Sequence, residues 1–400
     1  MTFITLLTTS CLAPSTTNRQ IFWWFVELGI PDPLIFENSK LSNFNNFLYI
    51  LFQNFANEEK DYSLDTILSH LKESKFSDET WLLRFKKALY KGNIDPNEFF
   101  VGQDSSFNLH CLGNIISDGQ SSAQLLAVHC TANLSSLSEK NGLQLARSVG
   151  PYLVTLLSSS SKGLVESSAI ALGNLALSGF RVAKVLVNQE SINSLLKAIQ
   201  TNNDSDAILS AAFYSLYQIL HALIAEENFA IDELEAVTFR SIDVFQQNVQ
   251  KSPVELFWVL FLLSCDPNQH EELSNPEVIE RCLDTCTYEI FQKSDPRPLV
   301  KIVTPLIRLM ANLCGGPLAS EKACLVIMRH PDITAIMMAL LGTNYFHLVK
   351  ETLWWFANMI NNESVIVQEQ FVDLNLIDKL EYHTIQAVQK LDPYAPILMP

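Results

Sequence analysis

An apolar helix with one residue near its middle that is usually polar recurs along this chain. Successive centres of this marker helix are 41, 44, 44, 50 and 46 residues apart. Units of about 40–47 residues are typical of α-solenoids, in which each repeat buries its apolar face only against its neighbours. The period therefore predicts one long stack of helices. The six centres are Asn133, Asn174, Gln218, Leu262, Asn312 and Asn358.

Two amphipathic stretches follow most of the marker helices. Phe180–Val187 and Glu321–Arg329 are the first stretches of their units, and Ile192–Ile199 and Ile333–Leu341 are the second. The same pattern places a short helix at Pro151–Leu157. Strand-like alternation does not occur in the sequence, and only 13 of 400 residues are Gly. We therefore predict an all-α fold, an armadillo/HEAT-type right-handed superhelical solenoid of three-helix repeats.

The repeat period begins near residue 107, which divides the chain into four segments. Upstream, Leu64–Leu71 and Glu79–Tyr90 have helical periodicity and predict a helical cap. Downstream, the predicted helix Asp378–Lys390 is followed by a Pro-rich tail that would stop further stacking. The segments are an unassigned N-terminal segment 1–40, the cap 41–106, the armadillo-repeat array 107–391 and the tail 392–400.

The chain is strongly acidic, with a formal net charge of −16. Residues 201–300 hold 17 Asp and Glu against 5 Lys and Arg, a window charge of −12. Such a surface repels the phosphate backbone of DNA and RNA, so we predict no nucleic-acid ligand. A protein or peptide with a basic segment is the natural electrostatic partner. The alternative is a solvated surface with no partner preference.

The cysteines are dispersed without a CxxC pair, which suits a reducing compartment, and we predict a cytoplasmic or nuclear protein. Cys282 and Cys286 share a helix face and could form half of a zinc site, but core packing is the favoured role. The most apolar run, Leu256–Leu263, is too short to span a bilayer, so we predict no membrane association. The sequence contains no catalytic motif, and we predict neither enzyme activity nor a cofactor.

Three motifs resemble the armadillo repeats of the importin-α family. Gly150–Leu157 (GPYLVTLL) is similar to the family's short helix, which approximates G-x-x-P-x-L-V-x-L-L. Trp354–Asn358 (WWFAN) is similar to its long helix, W-x-x-x-N, and Val372–Leu380 resembles the start of a following repeat. The resemblance covers roughly residues 107–390. The chain is also similar to the transmembrane-and-coiled-coil-domain protein 6 group, which itself resembles a divergent importin-α.

The resemblance implies a peptide-binding groove. In the importin-α family, Asn on each long helix clamps the backbone of an extended peptide, because one amide can both donate and accept a hydrogen bond. Trp one turn earlier forms slots for the stems of Lys, with cation–π attraction, and acidic residues select the basic side chains. The residues that this resemblance assigns to peptide binding are Trp354, Asn358, Glu351, Asn312, Asn174, Asn133, Trp258 and Glu255.

The match to the family is incomplete. Gln218 and Leu262 replace Asn in the middle repeats, and Arg308 would repel a basic peptide locally. The family's basic N-terminal arm, which binds importin-β, is not matched, since residues 1–40 contain only Arg19 and Lys40 as basic residues. Importin-β binding by such an arm is therefore not supported. The residues that replace Trp are His129, Ile170, Tyr214 and Arg308.

Two functions stay open at this point. The first is an adaptor that receives an extended, basic peptide in a concave groove, with an importin-α-like role in nuclear protein import. The second is a non-catalytic scaffold or assembly factor that binds a folded partner. Structural roles are also open: the Asn residues could form a ladder between repeats, and Trp258 could belong to the core. Trp354 and Trp355 point about 100° apart, so only one of them can face a groove.

Overall fold

The computed structural model describes residues 62–73, 78–101, 105–135, 138–224, 232–247, 252–292, 297–317 and 319–391, and every regular element in these ranges is a helix. The predictions for residues 1–40 and for the tail lie outside the described residues. The α-helices are α1 Leu64–Glu73, α2 Glu79–Lys91, α3 Ser105–Asp118, α4 Ser121–Leu134, α5 Glu139–Leu156, α6 Lys162–Ala176, α7 Phe180–Asn188, α8 Ser191–Thr201, α9 Asp206–Ile224, α10 Leu234–Gln247, α11 Val254–Leu263, α12 His270–Leu273, α13 Pro276–Thr287, α14 Arg297–Gly315, α15 Ser320–Arg329, α16 Ile333–Gly342, α17 Phe346–Ile360, α18 Val365–Asp373 and α19 Leu376–Leu391.

Helix boundaries follow capping residues in the sequence. At the start of α2 the carboxylate of Asp78 accepts a hydrogen bond of 2.9 Å from the backbone N–H of Thr80. The same helix ends at Gly92, whose φ of 71° lies in the left-handed region that glycine adopts without strain. Ser138 and Ser364 cap α5 and α18 in the way that Asp78 caps α2. Each cap satisfies a backbone donor that the first helical turn leaves without a partner.

Seven helices form one continuous row through the described part of the chain, each packing against the next. We call this the inner row; its members are α2, α4, α6, α9, α11, α14 and α17. Six of them are the marker helices predicted from the sequence, and α2 precedes them, packing on α4 much as α4 packs on α6. The inner row is deeply buried: in α11 every residue from Leu256 to Leu263 belongs to the core.

The other helices stack beside the inner row. Near the N-terminus α3 packs on α5 and α5 on α7, and near the C-terminus α13 packs on α15 and α15 on α18. A third line of contacts joins α13 to α16 and α16 to α19. Complete three-helix units are α7–α8–α9 and α15–α16–α17. The predicted all-α solenoid of three-helix repeats is therefore confirmed.

Side-chain hydrogen bonds show the register between repeats. Asn174 bonds to a residue 42 positions earlier, Arg308 pairs with a residue 43 positions later, and Asn358 bonds to a residue 47 positions earlier. These separations match the sequence period. Equivalent positions of neighbouring repeats therefore lie side by side, as a one-dimensional stack requires.

The prediction of a separate short helix at Pro151–Leu157 was wrong, because this stretch is the C-terminal part of α5 and Pro151 lies inside the helix. Proline removes one backbone donor and normally interrupts a helix. Leu145, Val149 and Leu153 form one fully buried stripe that runs past Pro151. Burial of this continuous stripe offsets the lost hydrogen bond and keeps α5 in one piece.

Helix α9 is the one described single helix that is long and apolar enough to cross a membrane by length and composition. A second candidate is the pair α15 and α16, which is bent by 90°. Of the apolar window in α9, 67% is buried inside the protein. Helix α9 packs against α6 and α11, so its apolar surface is used by the solenoid core.

Cys282 and Cys286 lie on α13 and are buried in the core. Burial raises the pKa of the Cys286 thiol to about 12 and keeps it protonated. Among the described residues no group of three or more His, Cys, Asp or Glu is arranged to hold a metal ion. These observations favour core packing over the half zinc site for the two thiols.

Candidate binding surface

Two lines of residues run along the marker helices of the inner row, one helical turn apart and on the same helix face. We call the first line the Asn row; it consists of Asn133, Asn174, Gln218, Leu262, Asn312 and Asn358. We call the second line the Trp row; it consists of His129, Ile170, Tyr214, Trp258, Arg308 and Trp354.

The Asn row forms hydrogen bonds between neighbouring repeats. Nδ2 of Asn174 donates to the backbone carbonyl of Ala132 at 3.0 Å, and Nδ2 of Asn358 donates to the carbonyl of Ala311 at 2.9 Å. Ala132 and Ala311 each directly precede the Asn-row residue of the preceding helix. The structural ladder, one of the two roles that the sequence left open, therefore exists at both positions.

Asn312 reaches the equivalent carbonyl through a hydroxyl group. Its Nδ2 donates to Oγ of Ser264 at 2.9 Å, and that hydroxyl donates to the backbone carbonyl of Phe261 at 2.6 Å. Phe261 directly precedes Leu262, the Asn-row residue of α11. Asn133 differs, because its Nδ2 is buried and has no hydrogen-bond partner among the described residues.

The amides differ in what they could offer to a ligand. Asn174 is only 7% exposed, and its Oδ1 already accepts a bond of 2.8 Å from the hydroxyl of Tyr214. Asn312 and Asn358 are half-buried. Nδ2 of Asn312 contacts both Oγ of Ser264 and Sγ of Cys265, whereas the bond from Asn358 to Ala311 uses one of the two N–H groups of its amide. Asn358 is therefore better placed than Asn174 to contact a partner.

Trp354 lies one turn before Asn358 on α17 and is half-buried, whereas Trp355 is fully buried. Only one of the two rings can therefore face a groove, as predicted. Gly315 of α14 makes room for Asn358, because a Cβ added to Gly315 would lie 2.8 Å from Nδ2 of Asn358. Helices α14 and α17 therefore approach each other closely at Asn358.

Trp258 belongs mainly to the core. It is 9% exposed, and its ring centroid lies 5.9 Å from that of Tyr217 and 6.1 Å from that of Phe261, both in edge-to-face arrangements. The guanidinium carbon of Arg308 lies 6.0 Å from the centroid of the Trp258 ring. The core role that the sequence left open for this ring therefore agrees with its surroundings.

Glu351 is engaged by Arg308 of the preceding helix. Nη2 and Nε of Arg308 lie 2.8 Å and 2.9 Å from Oε1 of Glu351, and the two side chains are only 13% and 4% exposed. The sequence suggested that Glu351 would select a basic ligand and that Arg308 would repel one. In the structure the two charges instead neutralise each other inside the protein.

Glu255 lies at the start of α11 and is half-buried. Its carboxylate accepts a hydrogen bond of 2.8 Å from Oγ of Ser210. Burial raises the pKa of Glu255, and the bond from Ser210 and the positive charge of Lys301 oppose that rise. The pKa of Tyr214 is also raised, mainly by burial and in addition by the negative charge of Glu255.

One polar cluster at the N-terminal end of the inner row was missed by the sequence analysis. Nζ of Lys86 lies 2.9 Å from Nδ1 of His129, and Nε2 of His129 lies 3.0 Å from Oγ of Ser167. Lys86 stands 43 residues before His129, a separation that the repeat period could have identified. Because the repeat period in the sequence begins near residue 107, the sequence pattern does not align α2 with the marker helices.

The hydrogen bond between His129 and Ser167 in this cluster runs in the wrong direction for nucleophilic catalysis. A protonated Lys86 can only donate, so Nδ1 of His129 accepts, and Nε2 carries the hydrogen that points at Ser167. A general base would need Nε2 free to accept the hydroxyl proton. Burial, together with the charge of Lys86, lowers the pKa of His129 to about 3. The cluster therefore serves to connect α2, α4 and α6.

No family model matches the chain. An engineered protein from a structural genomics consortium matches with a TM-score of 0.60 and 15% identity, covering 78% of this chain and 73% of that one. A second engineered protein gives a TM-score of 0.50 and 16% identity, covering 62% and 97%. A designed armadillo repeat protein in complex with the peptide (KR)4 gives only 0.38 at 12% identity, covering 74% and 99%. The first two matches concern the fold alone. The three-helix repeats stacked in this chain are those of an armadillo-type solenoid.

Proposed function

We propose that this chain is a non-catalytic adaptor that binds an extended segment of a partner protein along the inner row. The observation that carries this proposal is the pair Trp354 and Asn358, one turn apart on α17 and both half-buried. An amide that can donate and accept beside an aromatic ring suits the repeating polar groups of an extended main chain. The bond to Ala311 uses only one N–H of Asn358.

The partner segment in this proposal is basic. The net charge of −16 favours positively charged partners, and such binding weakens as salt screens the charges. More specifically, we propose that this chain has an importin-α-like role in nuclear protein import and is located in the cytoplasm and the nucleus. It is supported by the resemblance of the Trp354–Asn358 and Gly150–Leu157 motifs.

A second candidate is a scaffold or assembly factor that binds a folded partner. The ladder bonds of Asn174 and Asn358, together with the ion pair of Glu351, favour it, because they occupy groups that a peptide clamp would use. A folded partner would contact the surface without needing these groups. Its binding would depend little on salt and would not require a basic stretch.

The experiment that separates the two is a fluorescence-anisotropy titration of a labelled Lys/Arg-rich peptide with the purified chain at two salt concentrations. The test variant is the double substitution Trp354→Ala/Asn358→Ala. The matched control is Tyr382→Ala, because Tyr382 is 67% exposed on α19, outside the inner row.

The adaptor proposal predicts that the peptide binds and that its affinity weakens with salt. The affinity should fall at least about tenfold in the double variant, which corresponds to a loss of about 1.4 kcal/mol of binding free energy. It should be unchanged in Tyr382→Ala. Equal binding by wild type and the double variant would place the site elsewhere. Absence of binding at low salt would rule out the basic segment and favour the scaffold for a folded partner.

A further inference from the structure

The last three helices of the inner row are α11, α14 and α17. Helix α11 contributes Trp258 to the Trp row, and α17 contributes Trp354. Between them, α14 carries Arg308. Its guanidinium carbon lies 6.0 Å from the centroid of Trp258 and 5.5 Å from that of Phe261, and its nitrogens lie 2.8 Å and 2.9 Å from Oε1 of Glu351. We propose that Trp258, Phe261 and Glu351 form a receptor for a guanidinium group and that Arg308 fills this receptor from within the chain.

The three surrounding groups are those that recognise a guanidinium best. Aromatic rings within about 6 Å attract a cation through their negative faces. A carboxylate accepts two N–H donors from the planar fork, which an ammonium group cannot present in the same geometry. Arg308 and Glu351 are almost excluded from water, so the attraction between them is screened less than in a surface pair.

Two surface pairs among the described residues lack that combination. Arg240 lies 2.8 Å from Asp243, but their side chains are 28% and 42% exposed. Lys162 and Asp204 are 61% and 73% exposed. These pairs are adjacent charges in water, whereas Arg308 occupies an enclosed site built from two helices other than its own.

This arrangement has a consequence for specificity that rests on the proposed function. A partner segment that follows the inner row does not find the carboxylate of Glu351 available beside α14, because Glu351 is already paired with Arg308. Arg308 is then the residue that determines specificity at this position: it prevents selection of a basic side chain there. Selection for positive charge along the segment must come from acidic residues elsewhere.

The test removes the internal ligand and supplies a free one. In Arg308→Ala the receptor is empty, and ethylguanidinium is small enough to enter it. The thermal unfolding midpoint is measured for wild type, Arg308→Ala and the surface control Arg240→Ala, each with ethylguanidinium or with ethylammonium at the same concentration and ionic strength.

We expect Arg308→Ala to unfold several degrees below wild type and to recover part of that loss in ethylguanidinium but not in ethylammonium. Wild type and Arg240→Ala should show no such difference between the two cations. The double variant Arg308→Ala/Glu351→Gln should lose the preference for ethylguanidinium, because the carboxylate that orients the fork is gone. Equal effects of the two cations on Arg308→Ala would overturn the proposal.

If Arg308→Ala does not fold, Arg308→Gln replaces it. The shorter amide side chain does not reach the position of the guanidinium group, so the same preference is expected. Its absence in Arg308→Gln would also overturn the proposal. No peptide is used in these measurements, so their outcome is separate from that of the adaptor proposal.

Discussion

The side-chain amide of Asn358 donates a hydrogen bond of 2.9 Å to the backbone carbonyl of Ala311 on the preceding helix of the inner row. An equivalent bond of 3.0 Å joins Asn174 to Ala132. In each case a side chain that the sequence suggests as a peptide clamp also fixes the stacking of one repeat on the next. Substitutions in the Asn row will therefore affect stability as well as binding, and the two effects have to be measured separately.

The first prediction compares Asn174 with Asn133. Asn174→Ala removes two hydrogen bonds, to Ala132 and from Tyr214, at a buried position and should cost about 1–3 kcal/mol of unfolding free energy. Asn133→Ala should cost less, because Nδ2 of Asn133 has no partner among the described residues. Urea denaturation followed by circular dichroism measures both. An equal cost at the two positions would contradict the ladder.

The second prediction concerns two glycines of α6. A Cβ at Gly173 would lie 2.6 Å from the ring of Tyr214, so Gly173→Ala should destabilise by about 1–3 kcal/mol through overpacking. At Gly163 a Cβ meets nothing within 4 Å, and Gly163→Ala should stabilise by up to about 1 kcal/mol, since alanine favours the helix. Thermal melts of the two variants should shift in opposite directions. A Gly173→Ala variant as stable as wild type would argue against the close approach of α6 and α9.

The third prediction concerns the buried ion pair. Glu351→Ala leaves the charge of Arg308 without its partner and should cost about 3–5 kcal/mol. Lys162→Ala breaks an exposed pair with Asp204 and should cost about 0–1 kcal/mol. Equilibrium denaturation of both variants against wild type gives the comparison. If the costs were similar, the pair would have to be more hydrated than its burial indicates.

The fourth prediction is a dependence of stability on pH. The pKa of His129 is lowered to about 3 in the folded protein, against a usual value near 6.5, so the folded state resists protonation more than the unfolded state. The stability contributed by neutral His129 is complete above about pH 6.5 and is lost as the pH falls toward 3.

His129→Gln provides the comparison for this fourth prediction, because glutamine cannot be protonated in this range. Between pH 6.5 and pH 4 wild type should lose more unfolding free energy than His129→Gln. Other groups, such as Glu255 with its raised pKa, titrate in both proteins and cancel in the difference. Parallel pH profiles of the two proteins would show that His129 is not held neutral by its surroundings.

Much of the fold could be predicted from the sequence because the stacking of repeats imposes one period on apolar residues. The marker helices of Asn133, Asn174, Gln218, Leu262, Asn312 and Asn358 all belong to the inner row. The break expected before Pro151 does not occur, because burial of a continuous stripe outweighs a local rule. Helix α2 was not recognised as part of the row, because the repeat period in the sequence begins near residue 107, after the end of α2.

The surface was harder to predict than the fold. Spacing along one helix places Glu351 on the same side as Trp354, but it contains no information about the neighbouring helix. The pairing of Glu351 with Arg308 depends on the register between α14 and α17 and on side chains that reach across it. The same holds for the contact of Tyr214 with Asn174, which joins residues 40 positions apart.

Hydrogen–deuterium exchange of the chain with and without a Lys/Arg-rich peptide at low salt tests most directly whether the inner row binds an extended segment. We expect the peptide to slow exchange in Phe346–Ile360 and in the facing part of α14, and to leave exchange in Val365–Asp373, which lies outside the inner row, unchanged. Protection confined to helices outside the inner row, or no protection anywhere, would show that the inner row does not bind an extended segment.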